Sequence, residues 1–267
     1  MDAEYARQYR ELYERHWWWR AREALITRTL ERLRPRRDGA VLDVGCGDGL
    51  FFDRLAAYGQ VEGVESDASL VNPAGPHAAR IHVGPFDERF QPGTRYTLVV
   101  MLDVLEHMRD PLGALRHARR LLAPDGILLV TVPAFRALWT AHDDLNQHVT
   151  RYTRRSFGEL AAGAGVEVAE ARYFFHWLFP AKLLTRAVER VAGARPRPPA
   201  VPPRWLNAAL YRASRLEQAL IRGWSPPFGS SLMVVGRRAP DRASAPAASA
   251  PAAAAPPPPA GRITNSS

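Results

Sequence analysis

The stretch that most constrains this chain is residues 41–50, whose sequence is VLDVGCGDGL. The apolar residues at its start form a short run that is typical of a buried parallel strand. Three alternating glycines follow. Because glycine has no Cβ, the backbone can turn sharply there and pass close beneath a ligand. The segment therefore predicts a strand followed by a ligand-holding loop, although a tight turn without a ligand would have the same local sequence.

The spacing of the glycines separates two kinds of nucleotide-like ligand. A dinucleotide-binding loop has the pattern G-x-G-x-x-G. This loop is G-x-G-x-G, and an aspartate precedes it on the strand. The pattern resembles the first motif of class I S-adenosylmethionine-dependent methyltransferases, D-x-G-x-G-x-G. The resemblance implies that S-adenosylmethionine is the cofactor and that the loop packs against its methionine and ribose parts. The residues concerned are Asp43, Gly45, Gly47 and Gly49.

Acidic residues follow the next two predicted strands. Glu65 ends the alternating segment VEGVE at 61–65. In an open α/β sheet the ligand lies across the carboxyl ends of the strands, so a carboxylate there can accept hydrogen bonds from both ribose hydroxyls. Methyltransferases of this class carry such an acid at the corresponding position. Beyond a weak third strand at 81–83, Asp87 is a candidate for binding the adenine amino group.

Two later segments extend the resemblance. The fourth predicted strand, 96–102, is followed by DVLEH at 103–107, which is similar to the second signature of the branch that methylates small molecules such as quinone precursors. In that branch an acidic residue at the position of Asp103 lies close to the cofactor. The segment LLAPDGILLV at 121–130 resembles the third motif. The resemblance implies a Rossmann-like α/β fold with a seven-stranded sheet whose last strand is antiparallel.

Changes of composition divide the rest of the chain. Residues 1–38 form a predicted N-terminal helical segment, in which three tryptophans at 17–19 either reach a second surface or pack against the neighbouring domain. Residues 39–238 form the predicted methyltransferase domain. Within it, 174–230 is far longer than a hairpin loop, so we predict a helical insertion at the rim of the active site. The Ala/Pro-rich residues 239–267 are predicted to be a disordered tail.

The net charge of +9 suggests a nucleic-acid partner until its distribution is considered. Residues 1–171 are nearly neutral, whereas 172–224 hold ten basic and two acidic residues. A methyltransferase acting on base amines would also be expected to have a Pro-Pro-aromatic motif where this chain has DVLEH. We therefore predict no nucleic-acid partner. The expected acceptor is a small molecule or a lipid- or saccharide-linked one, and 174–224 is predicted to be a basic, aromatic lid that meets a membrane surface or an anionic acceptor.

Cellular location and metal content follow from what the sequence lacks. No run reaches the roughly 18 apolar residues that a membrane span needs, so we expect a cytoplasmic protein, with contact at the inner face of the membrane through the lid. The single cysteine, Cys46, excludes an internal disulfide. Because no Cys/His set has the spacing of a metal site, we predict no metal.

The segment after the fifth strand is dense in polar residues between 142 and 152. Methyl transfer to a hydroxyl oxygen needs an acceptor that loses its proton as the methyl group arrives, and histidine has a pKa suited to that task. Three histidines are candidate general bases: His107, His142 and His148. For each, the alternative is a structural histidine that is hydrogen-bonded in a loop or helix. O-methylation is favoured, whereas N- or C-methylation and a cofactor-binding or membrane-associated scaffold without turnover remain alternatives.

Overall fold

The computed structural model describes residues 10–192, 199–221 and 223–239, and a seven-stranded sheet forms the centre of this part of the chain. Its strands are β1 Gly39–Val44, β2 Gly59–Glu65, β3 Ile81–Val83, β4 Tyr96–Leu102, β5 Leu122–Pro133, β6 Val166–Phe174 and β7 Ser231–Arg238. Their spatial order is β3-β2-β1-β4-β5-β7-β6. Only β7 is antiparallel to its neighbours, β5 and β6. The fold class predicted from the sequence is confirmed.

Helices cover both faces of the sheet. They are α1 Trp17–Leu33, α2 Phe52–Leu55, α3 Pro111–Leu121, α4 Ala141–Leu145, α5 Arg154–Gly163, α6 Leu178–Ala192 and α7 Arg204–Leu220. Apolar side chains of α1 and α2 belong to one core cluster with β1, β4 and β5, and those of α3 and α5 belong to a second cluster on the opposite face. Since β4 is buried on both faces, its sequence is an apolar run without alternation.

The parallel strands all end at one edge of the sheet, which we call the carboxyl edge. The strand order reverses beside β1, which is hydrogen-bonded to β2 on one side and to β4 on the other. A crevice at such a reversal is the usual ligand site of open α/β sheets. The loops that follow β1, β2, β4 and β5 therefore meet where the sequence predicts the cofactor.

Some element boundaries differ from the prediction. The helix after the glycine loop is short, because α2 has only four residues and is followed by a 3₁₀ turn, Ala56–Tyr58. The N-terminal helix is interrupted at His16, whose Nδ1 accepts a hydrogen bond from the backbone N–H of Trp18 at 3.1 Å and so caps α1. Residues 1–9 and 240–267, which include almost all of the predicted tail, lie outside the described residues.

The tryptophan run packs α1 against the segment that follows β6. Trp17 is buried and its ring lies 6.1 Å from that of Phe175 and 5.4 Å from that of Trp177. Trp18 contacts the same Phe175 ring at 5.8 Å, and Trp19 packs on Trp18. For Trp17 and Trp18, internal packing is therefore the better of the two explanations that the sequence left open.

The region between β6 and β7 holds α6 and α7. The side chain of Asn207 in α7 accepts a hydrogen bond from the backbone of Trp17 and donates one to the backbone of Arg15, so α7 is fastened to the N-terminal helices. Helix α6 lies over the loop that follows β5, where Arg186 donates to the carbonyl of Arg136 at 2.8 Å. None of the helices in the described ranges is long and apolar enough to cross a membrane.

Candidate active site at the carboxyl edge

The three glycines of the loop after β1 all have left-handed backbone angles, with φ of 70° at Gly45, 53° at Gly47 and 69° at Gly49. A Cβ at Gly45 would lie 2.6 Å from Cγ2 of Val104, so that glycine is required by packing against the protein. A Cβ at Gly47 would meet nothing within 4 Å. Gly47 is itself buried, yet no residue other than its chain neighbours fills the space beside its Cα, which is the geometry that a ligand-holding loop needs.

Glu65 stands directly beside this loop at the end of β2. Its carboxylate is almost fully buried and accepts hydrogen bonds from the backbone N–H of Gly47 and that of Asp67, both at 2.9 Å. The acid therefore fixes the loop and the end of β2 relative to each other. The predicted neighbourhood of Glu65 and the glycines is present in the structure.

Asp43 is buried at the base of the loop. Burial raises the pKa of its carboxyl group, Arg22 opposes the rise and the nearby Glu65 adds to it, so that the pKa is about 8. Because little positive charge lies near it, the buried carboxyl group of Asp43 would be stabilised in its ionised form by a cationic neighbour. This environment suits the positively charged end of S-adenosylmethionine.

Arg22 of α1 is a site residue that the sequence reasoning missed. It is buried, and its Nη2 lies 2.7 Å from Oδ2 of Asp103 and donates to Oγ1 of Thr131 at 3.1 Å. Asp103 itself has a left-handed φ of 58°, which is uncommon outside glycine. One available signal was that Arg22 sits beside Ala21 on the apolar face of a predicted amphipathic helix, where a charge needs a partner.

Asp87, the adenine candidate, lies on the loop after β3. Both its carboxylate oxygens accept hydrogen bonds from Arg89, and this pairing lowers the pKa of Asp87 to about 2. The carboxylate is partly exposed at the outer end of the crevice. Its assignment to the adenine remains a prediction.

A second cluster of polar side chains lies where the loop after β4 meets the segment after β5. The rings of His107 and His148 are 4.8 Å apart and perpendicular. Oδ1 of Asp143 lies 2.8 Å from Nδ1 of His148, and Arg151 binds the same carboxylate through two nitrogens at 2.8 and 2.9 Å. Asp143 is fully buried. Burial alone would raise its pKa, but the hydrogen bonds from His148 and Arg151 hold that pKa well below its usual range.

The Asp143 contact orients His148. A carboxylate at Nδ1 favours the tautomer in which Nδ1 carries the proton, which leaves Nε2 as a hydrogen-bond acceptor. His107 stays in its neutral form near pH 7, because burial and the neighbouring His148 lower its pKa. His142 does not join this pair: it lies on the exposed side of α4, where Nε2 contacts the side-chain amide of Asn146 at 2.9 Å.

Glu106 completes the cluster. Its side chain is buried, Oε2 has no hydrogen-bond partner among the described residues, and burial and the nearby Asp103 raise its pKa well above the usual value. One donor atom each of Glu106, His107 and His148 lies within 4.8 Å of the others, so these three residues could hold a metal ion. The sequence prediction of no metal considered only local spacing, and such spacing cannot detect donors from two segments that meet in the fold.

Comparisons with known proteins agree with this geometry. Residues 18–171 match the family model described as a methyltransferase domain, which covers more than half of the chain. The chain belongs to this methyltransferase family. Together with the fold, the match makes the protein an S-adenosylmethionine-dependent methyltransferase, as the motifs implied.

Individual relatives are similar to only part of the methyltransferase. A ubiquinone biosynthesis O-methyltransferase of Azorhizobium caulinodans is 34% identical over 106 residues, which cover 37% of this chain and 42% of the relative. A probable S-adenosylmethionine-dependent methyltransferase of Mycolicibacterium smegmatis is 29% identical over 62% of the chain and 65% of its own length. The chain therefore spans less than two thirds of either relative.

Among solved structures, the CcbJ methyltransferase of Streptomyces caelestis superposes with a TM-score of 0.52 at 17% identity, over 82% of this chain and 90% of that one. At this level of identity the likeness concerns the fold alone. The substrate has to be argued from the site of the methyltransferase itself.

Proposed function

We propose that the methyltransferase binds S-adenosylmethionine in the crevice beside β1 and transfers its methyl group to a hydroxyl oxygen of the acceptor, with His148 as general base. The observation that carries this proposal is the contact between Asp143 and Nδ1 of His148. A buried carboxylate that fixes the tautomer of a histidine is the usual way in which a protein prepares a neutral imidazole to accept a proton.

For the cofactor, the proposed contacts follow the sequence prediction with one addition. The glycine loop and Glu65 face the methionine and ribose parts, and Asp87 the adenine. Asp103 supplies negative charge near the cationic groups, and Asp43 does so once a bound cation has lowered its pKa and displaced its proton. Arg22 supplies the positive charge for the cofactor's carboxylate. When bound, S-adenosylmethionine contributes an electrophilic methyl group.

The cofactor site can be tested at Gly47. Gly47→Val adds a side chain where the ligand would approach and strains a left-handed backbone, so we expect the affinity for S-adenosylhomocysteine to fall at least about tenfold in calorimetric titration. The control is Gly93→Val, because a Cβ at Gly93 also meets nothing within 4 Å. Unchanged affinity in a folded Gly47→Val variant would place the cofactor elsewhere.

In the proposed reaction, Nε2 of His148 would take the proton of the acceptor hydroxyl as the hydroxyl oxygen attacks the methyl group, with S-adenosylhomocysteine as the leaving group. Asp143 stabilises the imidazolium that forms, and Arg151 keeps Asp143 ionised. His107 lies against His148 and can bind the acceptor or the transferred proton. The reaction is assigned to oxygen because an amine acceptor near its own pKa would have less need for a base.

The test compares single variants of the three candidate histidines. His148→Ala should lower turnover by about 10²–10⁴ and leave cofactor affinity unchanged. His142→Ala serves as the matched control and should retain activity, because His142 is exposed and outside the pair. A His148→Ala variant with normal turnover would refute the assignment.

Metal-assisted catalysis by Glu106, His107 and His148 is the competing mechanism for the same cluster. Under the base mechanism, extensive treatment with a chelator leaves activity unchanged, and His148→Ala is partly restored by imidazole. If chelation abolishes activity and a divalent cation restores it, the cluster holds a metal ion instead.

For the acceptor, we propose a lipid-linked molecule that is reached from an anionic membrane surface at the inner face of the membrane. Helix α6 supports this proposal because none of its residues is buried. Leu184, Val188 and Val191 form an exposed apolar stripe, flanked by Arg186 and Arg190. Such a helix binds an interface through its apolar face and its basic flanks. Its contact with the loop after β5 supports a position of the acceptor cluster next to that surface.

A further inference from the structure

A cavity of about 450 Å³ lies on the flank of the molecule, between α1, the outer strand β6 and the end of α7. A volume of this size is typical of sites for small organic molecules. Its apolar walls include Leu25, Phe174, Ile221 and Met233, and Trp224 stands at its mouth with 68% of its surface exposed. The proposed function leaves this cavity unexplained.

One buried ring nitrogen in the cavity wall has no hydrogen-bond partner in the described part of the chain. His176 is 92% buried, since its relative exposure is 8%, and its Nε2 makes no hydrogen bond within those residues. Its Nδ1 faces Oε1 of Glu217 at 3.3 Å. A buried polar group without a partner costs free energy comparable to a lost hydrogen bond, so its retention beside a cavity calls for a ligand.

The position of Glu217 determines what such a ligand must offer. Its other oxygen, Oε2, accepts a hydrogen bond from the backbone N–H of Trp177 at 2.9 Å, so Oε1 is the atom presented to the ring. Burial alone would raise the pKa of Glu217, but His176 and the adjacent backbone N–H groups lower it below its usual value. A carboxylate at Nδ1 favours the proton on that nitrogen and leaves Nε2 as an acceptor. The ligand should therefore donate a hydrogen bond.

Charges in the cavity wall balance one another. Arg32 and Arg172 both lie 2.6 Å from Glu170, so two guanidinium groups share that carboxylate. Among the other lining residues, Glu31 and Glu217 oppose Arg28. A charged ligand would gain little from such a wall, whereas an uncharged, mostly apolar molecule would lose no strong hydration on entry.

None of the residues assigned to the proposed methyl-transfer site lines the cavity. The rings of Trp17, Trp18 and Phe175 pack together at the carboxyl edge, and none of these three lines the cavity. In the sheet, β6 is separated from β1 by β4, β5 and β7. A molecule in the cavity would thus lie several strands away from the glycine loop.

We propose that this cavity is a second binding site, which takes a small uncharged phenol or alcohol whose hydroxyl donates to Nε2 of His176 while its apolar body packs against Met233 and Trp224. The site is independent of the chemistry at the carboxyl edge. Binding there can be measured without any turnover.

The experiment uses p-cresol, which has the donating hydroxyl, and 4-methylanisole, which has the same ring without the donor. Binding is followed through the methyl groups of isotope-labelled methionine in the full-length protein. We expect p-cresol to shift the Met233 signal saturably and to bind about three- to tenfold more tightly than 4-methylanisole, the range that one hydrogen bond supplies. Met108, next to His107, should not respond.

Substitutions of the wall test the role of His176. His176→Phe should abolish the preference for p-cresol, whereas His82→Phe, which alters a histidine on β3 at the opposite edge of the sheet, should preserve it. If His176→Phe does not fold, Glu217→Gln provides the test, because an amide can donate to Nδ1 and so remove the bias that makes Nε2 an acceptor.

Three results would overturn the proposal: no saturable shift at Met233, equal affinity for the two probes in the wild-type protein, or a preference for p-cresol that survives in folded His176→Phe. A response at Met108 alone would place the phenol at the carboxyl edge and would also count against the second site.

Discussion

At the scale of single residues, several ionisable side chains at the carboxyl edge are buried and have little contact with water. Asp43 is buried and has a raised pKa, and Glu106 is buried with an oxygen that lacks a hydrogen bond within the described residues. Arg22 of α1 brings a compensating charge to both acids, and Arg151 brings another to Glu106. Groups with strongly shifted pKa values in a crevice are typical of functional sites, because the fold alone gains nothing from them.

The effect of this burial on the free energy of unfolding can be measured at Asp43. Its folded-state pKa of about 8 lies above its ordinary value of 3.8, so the neutral form stabilises the fold fully below about pH 4 and this contribution is lost as the pH rises toward 8. Asp43→Asn does not titrate. We expect its unfolding free energy relative to wild type to increase between pH 5 and pH 8 by more than about 1.4 kcal/mol, the equivalent of one pH unit.

Urea unfolding at the two pH values provides this measurement, in the absence of cofactor. Asp125→Asn is the control, because the side chain of Asp125 is 55% exposed and its partner, Arg36, stays charged, so the difference should be the same at both pH values. A pH-independent difference for Asp43→Asn would show that Asp43 is ionised in the folded protein throughout this range.

At the scale of elements, the helical residues 10–15 and the start of α1 lie against the glycine loop and restrict access to it. Arg10 forms an ion pair with Asp48 of the loop, and Arg22 binds Asp103 at the end of β4. The cavity between these helices and the loop, lined by Tyr13 and Arg22 among others, has a volume of about 40 Å³. This is far below the 300–1,000 Å³ of ordinary ligand sites. Residues 10–22 therefore restrict the space beside Asp43 and Gly45, and we expect them to move when a cofactor enters.

We expect this movement to control the rate of cofactor association. Tryptophan emission from residues 17–19 should change when S-adenosylhomocysteine binds, and in stopped-flow mixing the observed rate should reach a plateau at high ligand concentration. Arg10→Ala removes the ion pair to the loop and should raise that plateau several-fold. Arg15→Ala is the matched control, because Arg15 pairs with Glu11 inside the same segment and does not reach the loop. Identical plateaus in Arg10→Ala and wild type would mean that the pair does not restrain the segment.

At the scale of the whole molecule, the sheet and the approach of Glu65 to the glycine loop were predictable, whereas other contacts between the loops were not. The strands β1, β4 and β5 carry apolar runs that any parallel strand buried on both faces requires, and the glycine loop is a local signal. In contrast, the contact of Arg22 with Asp103 depends on where α1 crosses the edge. The approach of His148 to His107 depends on how the segment after β5 folds back. Neither of these two contacts can be predicted from the periodicity of the sequence.

The same scale decides whether the methyltransferase works at a membrane. If α6 docks on an anionic surface, the protein should sediment with phosphatidylglycerol vesicles at low salt and much less with phosphatidylcholine vesicles, because each basic residue near such a surface contributes about 1 kcal/mol. Added salt should weaken the binding.

Substitutions on the exposed stripe separate docking by α6 from general attraction of a basic protein. Val188→Asp places a negative charge in the apolar stripe and should reduce vesicle binding at least about tenfold, since it removes apolar contact and adds repulsion. Val83→Asp introduces the same charge at a similarly exposed valine on β3, at the far edge of the sheet, and should leave most of the binding intact. Equal loss in the two variants would point to net charge as the cause. A wild-type protein that stays in the supernatant at low salt would exclude the membrane-bound acceptor and leave a freely diffusing one.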